Sequence, residues 1–112
     1  MPVRDPVLRA MDVCPVEVAI AVLGGSWKMT IVKHLTGATL RFGELARAVG
    51  AVSARMLTRQ LRELETDGIV HREVYAEVPP RVEYSLTELG ATLAPLVAML
   101  DDWGARYQSQ AG

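Results

Sequence analysis

Three arginines stand at helical spacing in the segment 53–67, where their side chains share one face. At 100° per residue, Arg55, Arg59 and Arg62 fall within about 60° of one another. The opposite face carries three leucines, Leu57, Leu61 and Leu64. Such a helix can pack through its leucines and present its arginines to a DNA major groove, because the guanidinium fork donates to guanine edges and phosphates. An ordinary solvated helix face has the same pattern, so this helix alone leaves both interpretations open.

The single cysteine, Cys14, directly precedes Pro15 at the predicted start of a helix. Backbone N–H groups at a helix N-terminus stabilise a thiolate, which favours a reactive sensor. A small buried residue or a neutral cap is the alternative. An enzyme with Cys14 as nucleophile would need a positioned base, and the sequence offers none. One cysteine and two distant histidines, His34 and His71, also predict no disulfide within the chain, no metal site and no cofactor.

A predicted hairpin follows the arginine-bearing helix directly. The segments 69–78 and 81–86 flank Pro79-Pro80 and read as two strands. A two-stranded ribbon after a candidate recognition helix is the winged form of the helix-turn-helix. Its tip places Arg81 where a wing meets the DNA backbone or the minor groove. An adaptor that uses this fold for protein contact is the alternative, although three arginines on an open face favour DNA.

The charge of the whole chain is a poor guide to its partner. The 112 residues carry a net charge of −1, which counts against nucleic acid when taken alone. The segment 41–72 has a net charge of +2, however, and the excess acid lies in 73–112. Local cations decide backbone contact. The apolar runs are too short to span a membrane and the N-terminus has no apolar signal region, so a soluble cytoplasmic protein is expected.

The order of predicted elements indicates a mainly α member of the α+β class. Residues 1–13 read as an arm, and 14–112 as one winged helix domain. Its first helix begins at Pro15, and Ser26 is the predicted N-cap of the next. The helix-turn-helix is placed at 43–67, the wing at 69–86 and a final helix at 87–110, with a kink at Pro95.

The final helix has a long apolar stripe for a terminal helix. Trp103 and Tyr107 suit an interface. We predict that this helix forms a homodimer, because winged helix proteins commonly read two half-sites about 34 Å apart. Packing onto the helix's own core is the alternative. The candidate interface residues are Leu93, Leu96, Val97, Leu100, Trp103 and Tyr107.

Several motifs together resemble the HxlR-type regulators, which are MarR-like winged helix proteins of bacteria and archaea. The resemblance covers roughly residues 14–104. It is carried by Cys14-Pro15, the segments 24–28, 40–45, 53–58 and 61–68, and the run 79–90. Two positions differ from the common pattern: Ser26 stands where lysine is frequent, and Gly50-Ala51 stands where a Pro-Gly turn is common.

The resemblance implies a homodimeric transcriptional regulator that binds double-stranded operator DNA, and we expect it to act as a repressor. It also implies that Lys28 lies near a phosphate and that Cys14 senses an oxidant or a small electrophile. A regulator that responds to a non-covalent ligand at the dimer interface is the alternative. The candidate DNA-binding residues are Lys28, Arg41, Ser53, Arg55, Met56, Thr58, Arg59, Arg62 and Arg81.

Overall fold

A computed structural model describes residues 2–25 and 27–112 of the chain. The helices and strands follow in this order: α1 (Asp5–Ala10), α2 (Pro15–Leu23), α3 (Lys28–Leu35), β1 (Leu40–Arg41), α4 (Phe42–Val49), α5 (Ala54–Thr66), β2 (Val70–Tyr75), β3 (Arg81–Leu86), α6 (Glu88–Ala91) and α7 (Ala94–Ala111). Ser26, the predicted N-cap of α3, lies outside the described residues. Trp27, in the left-handed region at φ 76°, directly precedes this helix.

The three strands form one antiparallel sheet in the order β1-β3-β2. The hairpin pairs Val70 with Leu86 at one end and Tyr75 with Arg81 at the other. The two-residue strand β1 adds to the other edge of β3 through Leu40, which pairs with Tyr84. Since α4 begins at the residue after β1, this short pairing ties the first helix of the helix-turn-helix to the wing.

The core lies between α3, α4, α5 and the inner face of the sheet. Ile31 and Leu35 of α3 are buried there with Leu45 of α4. The predicted leucine stripe of α5 enters the same core, and its three leucines are at most 2% exposed. Together these elements confirm a mainly α winged helix with a small sheet.

Two segments differ from the sequence prediction. The arm at 1–13 contains the helix α1, which buries Val7 and Ala10. The final helix at 87–110 is two helices, because α6 ends at Ala91 and α7 begins at Ala94. Pro95 lies in the first turn of α7, where its missing N–H leaves no hydrogen bond unmade, and so it marks a helix start and not a kink.

Within residues 2–25 and 27–112, no single helix has the length and apolar composition needed to cross a membrane. The helices α2 and α3 reach that length and composition only when taken together as a bent pair.

Candidate nucleic-acid interface

The helix α5 is capped at its start and buried along one side. Ser53 is its N-cap, and its hydroxyl oxygen accepts the backbone N–H of Met56 at 3.1 Å. A capping serine stabilises a helix by about 1 kcal/mol. At the other end, Gly68 has φ +79°, a conformation that glycine adopts without a steric penalty. These residues fix where α5 begins and ends. Burial of its leucine face directs the opposite face outward.

All three predicted arginines lie on that outward face. Arg55, Arg59 and Arg62 are exposed, and the side chain of Arg59 is 71% exposed. Arg59 also approaches Glu63, with Nε 3.6 Å from Oε2. An exposed pair of this kind contributes little to stability. The structure therefore brings the three guanidinium groups together as a cationic surface.

Thr58 and Met56 lie at the edge of this surface and are half-buried. The Thr58 hydroxyl donates to the backbone carbonyl of Ala54 at 2.8 Å. The Met56 sulfur accepts the side-chain amide of Gln60 at 3.1 Å. Both polar atoms thus make contacts within α5. The methyl groups of Thr58 and Met56 remain for apolar contact with a base.

The wing tip carries Arg81 in an acidic setting. Its guanidinium lies 3.1 Å from Glu77 and 3.6 Å from Glu83, and 3.9 Å from the centre of the Tyr75 ring. Arg81 lines one groove with Arg41, which is exposed at the start of α4. Because two carboxylates neutralise Arg81, the exposed Arg41 is the stronger cation of this groove.

The expectation that Lys28 lies near a phosphate is not met in this structure. Lys28 is only 3% exposed, and its ammonium group donates to Glu63 at 2.5 Å and to the carbonyl of Gly24 at 3.4 Å. A lysine can be buried in this way because a carboxylate compensates its charge. Lys28 consequently connects α3 to α5, and almost none of its side chain is accessible to solvent.

The predicted dimer residues divide into two groups. Val97 is 6% exposed and belongs to the chain's own core, which corrects the prediction for this residue, whereas Leu93 is partly buried and packs against that core. The other four are exposed: Leu96, Leu100, Trp103 and Tyr107. The rings of Trp103 and Tyr107 stack with centroids 5.4 Å apart. The outer face of α7 is therefore an uncovered aromatic and aliphatic stripe.

Cys14 is exposed and occupies the N-cap position of α2. Pro15 takes the first helical position, as predicted from the Cys-Pro pair. Within residues 2–25 and 27–112, no group of three or more His, Cys, Asp or Glu side chains could hold a metal ion.

Sequence reasoning missed Arg4 and Asp67, which form a salt bridge with Nε and Oδ2 2.7 Å apart. The Asp67 side chain is fully buried, and 63 positions separate the two residues. No local spacing signals such a pair. The one available hint was an acidic residue at the end of an amphipathic helix, where a negative charge is unfavourable without a partner.

The HxlR-like helix-turn-helix family model matches residues 22–111. The chain belongs to this family. Among curated relatives, the HTH-type transcriptional regulator YdeP of Bacillus subtilis is 50% identical over 97 residues, covering 87% of this chain and 76% of the relative. This HxlR-like protein is a DNA-binding transcriptional regulator, and members of such families are not enzymes.

Solved structures of redox regulators share its fold. The redox regulator HypR in its reduced form is 52% identical with a TM-score of 0.80, covering 85% of this chain and 94% of that one. The oxidized form is 54% identical with a TM-score of 0.78, covering 83% and 96%. Diamide-treated YodB of B. subtilis is 35% identical with a TM-score of 0.69, covering 84% and 94%.

Glu63 makes the stability of the protein depend on pH. The hydrogen bond from Lys28 lowers the pKa of Glu63 below its ordinary value of 4.5; the charges of Lys28, Arg4 and Arg59 add to this, while burial opposes it. A lowered folded-state pKa contributes stability that is present above the unfolded pKa and is lost as the pH falls through the folded one.

We therefore expect the melting temperature of the wild-type protein to fall more steeply below about pH 4.5 than that of Glu63→Gln. Circular dichroism melts from about pH 7 to pH 3 measure this difference. Glu88→Gln, at an exposed position of α6, is the control and should follow the wild-type curve. If the melting temperatures of wild type and Glu63→Gln fell in parallel with pH, the lowered pKa of Glu63 in the folded protein would be contradicted.

Proposed function

We propose that the protein is a homodimeric repressor that reads operator DNA with α5 and leaves it when Cys14 is chemically modified. The exposed arginine face of α5 is the observation that carries the DNA-binding part. It presents three cations on one side of a helix whose other side is buried. The wing and Arg41 would flank this helix on the DNA backbone.

Substitution of the arginines should weaken DNA binding. We expect Arg55→Ala and Arg59→Ala each to cost about 1–3 kcal/mol of binding free energy if the side chain reads a base. If the arginine contacts a phosphate, its replacement by alanine would instead lower the salt dependence of binding. Fluorescence anisotropy with promoter DNA from beside the protein's own gene measures both. Arg9→Ala, an exposed arginine on α1, is the control, and variants indistinguishable from it would refute the proposed surface.

Dimerisation is supported by exposed apolar side chains on α7. Trp103 and Tyr107 are about 60% exposed, an arrangement that costs free energy in an isolated protomer. Exposed apolar residues also lie at the end of α1, at Met11, and on α2, at Val16 and Ile20. A second copy that covers these stripes would bury both and place two α5 helices on one DNA.

Loss of the stacked indole should weaken the dimer. We expect Trp103→Ala to raise the dimer dissociation constant by roughly tenfold or more, since aromatic anchors dominate interfaces. Equilibrium sedimentation at micromolar concentration measures this. Val78→Ala, a fully exposed apolar residue at the wing tip, is the matched control. A wild-type protein that sediments as a monomer would exclude the homodimer.

The chemical input is supported by the position of Cys14. Its side chain is exposed at the N-cap of α2, where an oxidant or a small electrophile can reach the sulfur. The likeness to HypR and to diamide-treated YodB favours an oxidant. With diamide, the Cys14 thiols of two protomers would lose two protons and two electrons to form one S–S bond, and the N=N bond of diamide would become a hydrazine. With a quinone, the thiolate would add to a ring carbon.

Replacing Cys14 by serine should abolish the response to the chemical signal and leave DNA binding intact. We expect Cys14→Ser to bind DNA as tightly as wild type and to remain bound after diamide or quinone, because a hydroxyl undergoes neither reaction. A mobility-shift titration with each reagent tests this. A reductant should restore DNA binding by the diamide-treated wild type but not by the quinone adduct. Equal release of the variant and the wild type would disprove the sensor role.

A non-covalent ligand is the second candidate input, and an apolar cavity favours it. The cavity has a volume of about 240 Å³ and lies between α1, α2 and the α6–α7 junction. Val7, Met11, Ala19 and Leu93 are among its lining residues. A small apolar molecule would suit it. Release of Cys14→Ser from DNA by a compound without an electrophilic carbon, and loss of that release in an added Ala19→Trp substitution, would support this candidate.

A further inference from the structure

A cluster of charged side chains joins the N-terminal segment to the C-terminal end of α5. Arg4 lies just before α1, and its backbone N–H and Nε donate to the two carboxylate oxygens of Asp67 at 2.9 and 2.7 Å. Its terminal nitrogens donate to Oε1 of Glu63 at 3.4 Å and to the carbonyl of Ala21 at 2.8 Å. One arginine therefore contacts α5 at two positions and the last turn of α2 at a third.

Burial distinguishes this contact from a surface ion pair. The Asp67 side chain is 0% exposed and that of Arg4 is 18% exposed. A buried carboxylate without a partner is strongly unfavourable, so the observed end of α5 depends on Arg4. The Ala21 carbonyl is one of the last four of α2, which lack an intrahelical donor, and Arg4 supplies that donor.

The cluster extends to the exposed face of α5 through Glu63. Its Oε1 accepts from Lys28 and from Arg4, and its Oε2 lies 3.6 Å from Nε of Arg59. Arg59 is one of the three exposed arginines. Arg4, Glu63 and Arg59 thus form a continuous set of contacts from the N-terminal segment to the cationic surface.

We infer that Arg4 is a positioning residue for DNA binding, which together with Lys28 holds Glu63 and through Glu63 sets the placement of Arg59. The inference rests on the proposed function, in which Arg59 contacts DNA. Arg4 lies outside the residues 22–111 that the family model matches.

A double-mutant cycle tests the role of Arg4. The pair Arg4→Ala/Asp67→Asn removes the salt bridge without leaving a buried unpaired charge, and Arg4→Lys keeps the charge but loses the fork. We expect the pair to raise the dissociation constant for the promoter duplex by about threefold to tenfold, with Arg4→Lys in between. In the Arg59→Ala background the same two substitutions should change the dissociation constant by less than about twofold. Fluorescence anisotropy at fixed salt gives the constants, circular dichroism verifies folding, and Arg9→Ala is the control.

The outcomes separate this inference from the proposed function. An equal loss of affinity in both backgrounds, or no loss in either, would overturn the role of Arg4. Arg59→Ala that binds like wild type would instead overturn the proposed DNA surface. If the pair does not fold, Arg4→Lys in the two backgrounds makes the same comparison.

Discussion

Burial of the leucine face of α5 is the contact on which the rest of the structure depends. Leu57, Leu61 and Leu64 are essentially inaccessible, and burying each contributes about 1.5–3 kcal/mol. A helix held on this side can rotate little about its axis. The arginine face is consequently presented outward as a fixed surface. The α3–α4 core, the sheet and the charged cluster at Glu63 and Asp67 all pack against or around this helix.

The electrostatics of the chain follow from where its charges are paired. Acidic residues neutralise Lys28 and Arg81 inside the protomer, whereas the arginines of α5 extend into solvent. Because only accessible cations displace counterions from DNA, a net charge of −1 does not oppose binding. The charge of Arg81 at the wing tip is balanced by Glu77 and Glu83, whereas Arg41 in the same groove is exposed.

Sequence patterning predicted the elements with strong local signals. The spacing of leucines and arginines in α5 and the hairpin around Pro79-Pro80 each depend on residues a few positions apart. What could not be predicted depends on distant partners. Lys28 is a buried ion-pair partner of Glu63, Val97 belongs to the protomer's core, and Arg4 reaches Asp67 across 63 positions. The helix α1 was missed because Pro2 and Pro6 suggest an arm, whereas Pro6 lies in the first turn of a short helix that burial stabilises.

The central claim is that this HxlR-like protein binds specific DNA through a cationic helix. The most direct test is the affinity of the wild-type protein for the promoter duplex beside its own gene and for a scrambled duplex, measured by anisotropy over a range of salt. We expect at least about 10³-fold tighter binding to the promoter duplex, and a logarithm of affinity that falls linearly with the logarithm of the salt concentration. Equal affinity for the two duplexes, or binding that salt does not weaken, would contradict it.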